Sequence, residues 1–223
     1  MPNAPMDLNE IEALIDHDDY QYRLKAIAAL KDFEAPVAVP LLRSKLHDPE
    51  FLVRSFVAMG LGKQQTSDSF ATLLEMMKLD NTPNVRAEAA NSISLFGDLA
   101  IAHLVSTFLQ DEHWLVRRSI LGALAEMNCP QDFLEVCQAG LEDEDETVQG
   151  SAIDGLGFLA NSDQAESALA NILQIAQSSS WRIRTHAAQA LRQFTHEAAQ
   201  TALQTLQQDP DHRVVRAALE GLV

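Results

Sequence analysis

The sequence of 223 residues carries a formal net charge of −16, because it has 32 acidic and only 16 basic residues. Nucleic-acid binding depends on clustered Lys and Arg that neutralise phosphates, so this charge argues against a nucleic acid as the main partner and fits a partner with a basic surface. The two cysteines, Cys129 and Cys137, give no sign of a disulfide framework, and we expect a cytoplasmic protein.

Neither the N-terminus nor any apolar stretch gives a sign of targeting to a membrane. Residues 1–6 lack the charged region and the apolar core of a signal peptide, and we predict a flexible N-terminus there. No apolar run approaches the length of a membrane-spanning helix, so we expect no membrane span.

One pattern, clearest in residues 52–62, recurs along the whole chain. It is anchored on an arginine, once a glutamine, and successive anchors are 31, 32, 31, 32, 35 and 32 residues apart by subtraction of their numbers. Apolar residues stand one position before, three after and seven after every anchor, a periodicity that predicts one amphipathic helix per unit. A period near 30 residues is typical of stacked helical hairpins. The anchors are Arg23, Arg54, Arg86, Arg117, Gln149, Arg184 and Arg216.

The elements predicted along the chain alternate between an outer helix and an inner helix that carries the anchor. Asp7 is predicted to cap the first outer helix, Pro36 and Pro130 to open later ones, and Gly97 to end an inner helix in a left-handed conformation. A longer outer helix from residue 161 would account for the spacing of 35. Outer helices are predicted at residues 7–15, 36–46, 69–79, 99–109, 130–141, 161–177 and 197–207, and inner helices are predicted to end near residues 30, 61, 96, 127, 159, 194 and 223.

These patterns predict an all-α fold, a right-handed α-solenoid (superhelix) of about seven two-helix repeats that forms a single domain over residues 7–223. The last inner helix presents an apolar face without a following repeat, so we expect further chain or a docked partner there. The predicted repeats span residues 7–33, 34–64, 65–97, 98–128, 129–160, 161–195 and 196–223.

The repeats approximate the form Asp-Pro-x-x-x-Val-Arg-x-x-Ala-x-x-x-Leu, and residues 48–61 and 111–124 match it at most of its fixed positions. This form resembles the HEAT-like repeats of the phycobilin lyase family of cyanobacteria. That family groups the two-subunit lyases that attach bilins to phycobiliproteins with the phycobilisome-degradation proteins that handle the same substrates. The resemblance covers about residues 7–223.

The resemblance implies a phycobiliprotein-handling factor that binds its client in the concave groove and assists bilin attachment, bilin removal or phycobilisome disassembly. It implies a phycobiliprotein subunit as the client, a second lyase-like subunit as a partner, and no cofactor other than a transient bilin. Whether the chain is itself catalytic stays open. The alternative, which the repeat chemistry supports equally, is a HEAT-repeat scaffold for protein binding without a chromophore role.

HEAT-type repeats contain a ladder of recurrent Asp and Arg side chains inside the stack, and the resemblance implies a structural role for the matching residues here. Gln149 departs from the pattern by losing the charge, Ser178 replaces one aspartate, and Asp209 is displaced by one residue. The matching residues are Asp48, Arg54, Asp80, Arg86, Asp111, Arg117, Arg184 and Arg216.

In HEAT-type repeats the second helix lines the concave surface, so positions one, two and five after each anchor are expected to face the groove. Arg118 is expected to pair with a bilin propionate, and Asp154 or Glu88 to accept from pyrrole nitrogens. The alternative for each residue is an ordinary solvated helix face. The candidate binding residues at these positions are Phe56, Met59, Glu88, Asn91, Arg118, Asp154, His186 and Gln189.

Two tryptophans, Trp114 and Trp181, stand three positions before their anchors. An aromatic residue at this position can pack against the start of its own helix. The alternative is a row of exposed rings that stack on a tetrapyrrole or contact a protein partner. We include both tryptophans among the candidate binding residues.

No motif in the chain predicts a catalytic residue or a metal site. Phosphate-binding loops and nucleophile elbows are absent from the sequence, and the spacing of Cys129, predicted to lie in an exposed turn, and Cys137 matches no zinc site. The same repeat type occurs in di-iron deoxyhypusine hydroxylases, which carry paired His-Glu motifs, whereas this chain has only His196-Glu197. The acidic run at residues 142–146 is expected to be a solvated loop or a contact for a basic partner.

Overall fold

The computed structural model describes residues 6–220, so all but Met6 of the predicted flexible N-terminus lies outside the described residues. The chain forms two compact units, residues 1–107 and 108–223. Residues 6–220 contain α-helices and two short 3-10 turns but no strand. The prediction of one solenoid domain over residues 7–223 stays a prediction.

The helices of the first unit alternate between outer and inner positions as the repeat pattern predicts. Asp7 caps the first of them in a reciprocal capping box with Glu10, and Gly97 adopts a left-handed conformation with φ of +65° after the last inner helix. The helices are α1 (Leu8–Leu14), α2 (Tyr20–Ala29), α3 (Ala35–Arg43), α4 (Phe51–Gln64), α5 (Ser67–Leu79), α6 (Pro83–Ser94) and α7 (Asp98–Gln110), which continues to the start of the second unit.

The second unit continues the same alternation, with one difference from the prediction. The outer helix expected over residues 161–177 covers only Ala165–Ile175, and the additional residues of this repeat form the 3-10 turn Leu159–Asn161 and the loop after it. The spacing of 35 therefore reflects a longer connection, not a longer helix. The helices are α8 (Trp114–Ala125), α9 (Pro130–Leu141), α10 (Glu146–Phe158), α11 (Ala165–Ile175), α12 (Trp181–Leu191), α13 (Glu197–Leu206) and α14 (His212–Leu219).

The apolar positions around each anchor form the core of both units. Val53, Val57 and Leu61 are 0% exposed on α4, and the equivalent residues of α10 are equally buried. Complete burial of one such side chain contributes about 1.5–3 kcal/mol, so the repeated stripe supplies most of the stabilisation. The predicted all-α solenoid fold of two-helix repeats is confirmed.

Adjacent inner helices approach closely where a glycine stands eight positions after the anchor. A Cβ atom on Gly62 of α4 would lie 2.9 Å from the Cβ atom and 3.1 Å from the carbonyl oxygen of Ser92 on α6. On α10, a Cβ atom on Gly157 would lie 3.1 Å from the Cα atom of Ala190 on α12. Ser92 and Ala190 both stand six positions after their anchors, so the helix pairs α4/α6 and α10/α12 pack in the same register.

The anchor arginines connect consecutive repeats. Arg54 donates from Nε and Nη2 to the carboxylate of Asp80 at 2.7 and 3.0 Å, and from Nη1 to the carbonyl oxygen of Asp48 at 2.7 Å. Arg23 forms the same bidentate pair with Asp48 at 2.8 and 2.9 Å. Each of these arginines therefore bonds to the turn of its own repeat and to the turn of the next. Bidentate geometry of this kind fixes the position of one turn relative to the other.

The second unit contains two more of these connections. Arg117 donates to the carboxylate of Asp143 at 2.6 and 2.8 Å, and Arg184 donates to that of Asp209 at 2.7 and 2.9 Å. The displacement of Asp209 by one residue in the sequence thus leaves its ion pair intact. The main-chain carbonyl of Asp111 accepts from Nη1 of Arg117 at 2.8 Å, as that of Asp80 does from Arg86 in the first unit at 3.0 Å.

Two anchors depart from the ladder. Gln149 donates from Nε2 to the carbonyl oxygen of Asp143 at 2.6 Å, which reproduces the bond to its own turn. The next turn offers Ser178 instead of a carboxylate, so no ion pair connects these two repeats at the ladder position. Arg216, predicted to belong to the ladder, has a side chain that is 81% exposed and pairs with Glu220 at 3.3 Å, because no turn aspartate follows it within residues 6–220.

Candidate functional site

The candidate binding residues lie on the inner helices, and we treat those of each unit as a separate surface. The inner face of the first unit comprises Phe56 and Met59 on α4 with Glu88 and Asn91 on α6. Phe56 and Glu88 are half-buried, whereas Asn91 is exposed and Met59 is 41% exposed. The exposed thioether is an apolar surface that a partner can cover.

The inner face of the second unit comprises Arg118 on α8, Asp154 on α10, and His186 and Gln189 on α12. Arg118 and Gln189 are exposed, and Asp154 and His186 are half-buried. The structure therefore places the predicted residues of each unit on its inner helices. The predicted concave groove as a whole stays a prediction.

Within residues 6–220, the one hydrogen bond between two candidate binding residues joins Asp154 and His186. Nδ1 of His186 on α12 lies 2.9 Å from Oδ1 of Asp154 on the neighbouring inner helix α10. This hydrogen bond raises the pKa of His186 above its ordinary value, although partial burial acts in the opposite direction. A carboxylate on Nδ1 fixes the orientation of the imidazole ring.

Gly150 provides the space that the His186 ring occupies. A Cβ atom at Gly150 would lie only 2.7 Å from Nε2 of His186, so a side chain at this position would displace the ring. The imidazole therefore lies above the backbone of α10. The sequence contains this glycine one position after the anchor, but only the packing of α12 against α10 shows what it accommodates.

Arg118 is available for a ligand. Its guanidinium is exposed and forms no ion pair with another residue of the part of the chain that the structure describes. By contrast, Arg182 on α12 pairs with Glu146 at 3.6 Å. A free, exposed guanidinium is suited to bidentate binding of a carboxylate.

Glu88 is a half-buried carboxylate on the inner face of the first unit. Burial raises its pKa above the ordinary value, and a hydrogen bond from Oγ of Ser92 at 3.4 Å opposes this shift only in part. Within residues 6–220, no basic side chain forms an ion pair with Glu88. Neither the burial nor the missing counter-ion follows from the sequence alone.

The two tryptophans differ in their surroundings. Trp114 is 38% exposed, and its ring lies 5.9 Å from that of His113, with an angle of 27° between the rings. The guanidinium of Arg213 lies 3.2 Å from the ring centroid of Trp181, and that of Arg182 lies 4.7 Å away. Trp181 is thus occupied by cation–π contacts. Trp114 is the more accessible ring for a partner.

Neither cysteine has the surroundings of a reactive thiol. The prediction that Cys129 lies in an exposed turn was wrong, because the residue is only 5% exposed and its Sγ atom lies 3.9 Å from the carbonyl oxygen of Leu124. Cys137 is fully buried, and burial raises the pKa of its thiol far above the ordinary range.

The acidic run at residues 142–146 is only partly a solvated loop. Asp143 accepts the ladder bonds of Arg117, and Asp145 caps α10 by accepting from the main-chain nitrogens of Thr147 and Val148. Glu146 pairs with Arg182, whereas Glu142 and Glu144 are exposed to solvent or to a partner.

Two clefts that sequence reasoning missed lie between outer helices. One, of about 670 Å³ between α3 and α5, includes Pro36, Pro40 and Asp68 in its lining. The other, of about 520 Å³ between α11 and α13, includes Leu173 and Thr201. No motif marks these residues, because a cleft between helices of different repeats depends on their packing.

Between residues 6 and 220, no group of three or more His, Cys, Asp or Glu side chains is arranged to hold a metal ion. No helix there combines the length and the apolar character needed to cross a membrane.

Comparisons with known proteins agree with the helical repeats. Among solved structures, YibA of Escherichia coli is 16% identical with a TM-score of 0.62, over 96% of this chain and 92% of YibA. The complex of CpcE and CpcF of phycocyanin lyase from Nostoc sp. PCC7120 gives 18% identity and a TM-score of 0.54, over 99% of this chain and 97% of the matched chain. An engineered protein gives 19% identity and a TM-score of 0.53, over 95% and 66% of the two chains.

At these identities, the similarity establishes the fold alone. No curated protein matches the sequence. The family model of HEAT repeats matches residues 10–94, 101–174 and 134–223, which together cover most of the chain. The protein therefore belongs to the HEAT-repeat family.

Proposed function

We propose that this HEAT-repeat protein handles phycobiliproteins: it binds its client through the inner helices and assists attachment or removal of the bilin, or disassembly of the phycobilisome. Three points support the proposal. The repeats resemble those of the phycobilin lyase family, the fold is similar to a chain of the CpcE and CpcF complex, and the net charge of −16 suits a client with a basic surface.

The observation that carries the proposal is the inner face of the second unit. There, the unpaired guanidinium of Arg118 and the Asp154–His186 pair present a cation, a carboxylate and an oriented imidazole on neighbouring inner helices. A bilin has complementary groups, because its propionates accept from a guanidinium and its pyrrole N–H groups donate to a carboxylate.

In this proposal the chain acts by positioning and supplies little proton chemistry of its own. Arg118 holds a propionate, the free oxygen of Asp154 accepts from a pyrrole N–H, and His186 keeps that carboxylate in place. Holding a chromophore and its client in register lowers the entropic cost of a transfer step. The similar lyase is a complex of two proteins, and we propose that a second subunit also participates here.

Mixing the purified chain with phycocyanobilin and with holo-phycocyanin tests the proposal. We expect a shifted visible absorption band and co-elution in gel filtration. Changing both Arg118 and Asp154 to alanine should weaken binding while the far-ultraviolet circular dichroism stays unchanged. The control is Arg43→Ala, which also removes an exposed arginine, but from outer helix α3.

Three results would reject the proposal. Co-elution with an unchanged bilin spectrum would favour a protein-binding scaffold without a chromophore role. An absence of any binding, or full binding by the double variant, would show that the inner face of the second unit does not hold the bilin.

A further inference from the structure

The inner face of the first unit carries an acidic group whose counter-ion is missing. Glu88 is half-buried on α6, and its hydrogen bond from Ser92 does not neutralise it. Lys25 occupies the same register position as Glu88 on inner helix α2, and its Nζ atom lies 4.9 Å from the ring centroid of Tyr22. A partly buried carboxylate without a counter-ion is costly, and a cation from outside would stabilise it.

The neighbours of Glu88 can be inferred because the helix pair α4/α6 packs in the same register as the pair α10/α12. His186 stands two positions after its anchor and contacts Asp154, which stands five positions after the preceding anchor. Glu88 and Met59 occupy these same two positions in the first unit. The matching close approaches at Gly62 and Gly157 establish that the two helix pairs pack alike. Met59 therefore lies beside Glu88.

Phe56 completes this surface. It occupies on α4 the position that Glu88 occupies on α6, and helices in contact have axes about 8–10 Å apart. A cation placed between the ring and the carboxylate can then reach both, because a cation–π contact extends to about 6 Å from the ring centroid. Phe56 is half-buried, and its neighbour by the same register, Ala28 on α2, has only a methyl group, so part of the ring stays exposed.

We propose that the inner face of the first unit binds an arginine side chain of a protein partner, with the guanidinium between the Phe56 ring and the Glu88 carboxylate and the methylene groups against Met59. Arginine fits better than lysine, because its planar guanidinium stacks on an aromatic ring and pairs with a carboxylate through two hydrogen bonds. The negative net charge of the chain favours the approach of such a partner. This site contains none of the bilin-binding residues of the proposed function and needs no chromophore.

The test uses two peptides of the same shape, acetyl-Leu-Arg-amide and acetyl-Leu-citrulline-amide, of which only the first is charged. Each is titrated into the full chain, and the side-chain carboxyl resonances of the glutamates are followed by NMR. We expect saturable shifts of the Glu88 resonance with the arginine peptide and about tenfold weaker binding of the citrulline peptide.

Three variants locate the site. Glu88→Gln keeps the shape and removes the charge, so amide shifts on α4 and α6 should require about tenfold more arginine peptide. Phe56→Leu should weaken binding about threefold, since a cation–π contact at a partly exposed site is worth about 0.5–1 kcal/mol. Glu75→Gln removes an exposed charge from outer helix α5 and should change nothing.

Equal binding of the two peptides would overturn the proposal, as would undiminished binding by a folded Glu88→Gln variant. Equal losses in Glu88→Gln and Glu75→Gln would also overturn it, because they would assign binding to the overall charge. None of these measurements contains a bilin, so failure here is distinct from failure of the proposed function.

Discussion

The bidentate pair between Arg117 and Asp143 allows a sharp test of how the repeats are held together. Their side chains are 16% and 7% exposed, and two hydrogen bonds of 2.6 and 2.8 Å join them. In Arg117→Gln the shorter amide should keep the bond to the carbonyl oxygen of Asp111, as Gln149 does in its own repeat. The carboxylate of Asp143 would lose its cation and keep only the main-chain N–H of Asp145 at 2.8 Å.

Leaving one member of a buried pair without its partner costs about 3–5 kcal/mol, and the bonds that persist reduce this figure to about 2–3 kcal/mol. The control is Arg43→Gln, since Arg43 lies 4.0 Å from Asp68 with side chains that are 52% and 71% exposed. That pair should contribute about 0–0.5 kcal/mol. Urea unfolding at constant pH, monitored by circular dichroism, measures the change in the free energy of unfolding for both variants. Losses in the two variants that agree within about 0.5 kcal/mol would refute a stabilising role for the ladder.

Three further predictions concern the packing of the repeats. Gln149→Arg combined with Ser178→Asp should create the missing ion pair, raise the urea midpoint and increase the free energy of unfolding by about 1 kcal/mol. A double variant no more stable than the single variants would contradict this prediction. Gly62→Ala should destabilise the folded chain by about 1–3 kcal/mol, because the new Cβ atom would be too close to the backbone of Ser92. Gly122→Ala places its Cβ atom where no other atom lies within 4 Å, so it should stabilise the folded chain by about 0.5–1 kcal/mol in the same assay. His186→Gln should lower the free energy of unfolding more at pH 6 than at pH 8.5. Asp154 raises the folded-state pKa of His186. The stabilisation from the Asp154–His186 pair is therefore complete below the unfolded-state pKa and is lost as the pH rises through the folded-state pKa. An equal cost at both pH values would contradict this assignment.

The helices and the apolar core could be predicted because both depend on local pattern. The stripe around Arg54 places Val53, Val57 and Leu61 on one face of a helix whatever the neighbouring repeat is, and all three are buried. The resemblance to HEAT-type repeats implied a ladder of the recurrent aspartates and arginines. That Arg54 pairs with Asp80 of the following turn could not be predicted, because the pairing depends on how one hairpin stacks on the next.

The parts of the candidate site that prediction missed depend on contacts between distant residues. Arg213 covers Trp181 from a helix 32 positions along the chain, by subtraction, and no local pattern contains this contact. Cys129 precedes a helix-opening proline, which indicates a turn, but the turn packs inward against the end of α8. The Asp154–His186 contact requires the shared register of α10 and α12 and the space above Gly150.

Hydrogen exchange of the chain, alone and with holo-phycocyanin, tests the central claim most directly, because it reports which helices a client covers. The account predicts slower exchange in the inner helices α8, α10 and α12 and unchanged exchange in the outer helices α9, α11 and α13. Protection confined to the outer helices, or no change in any helix, would contradict it.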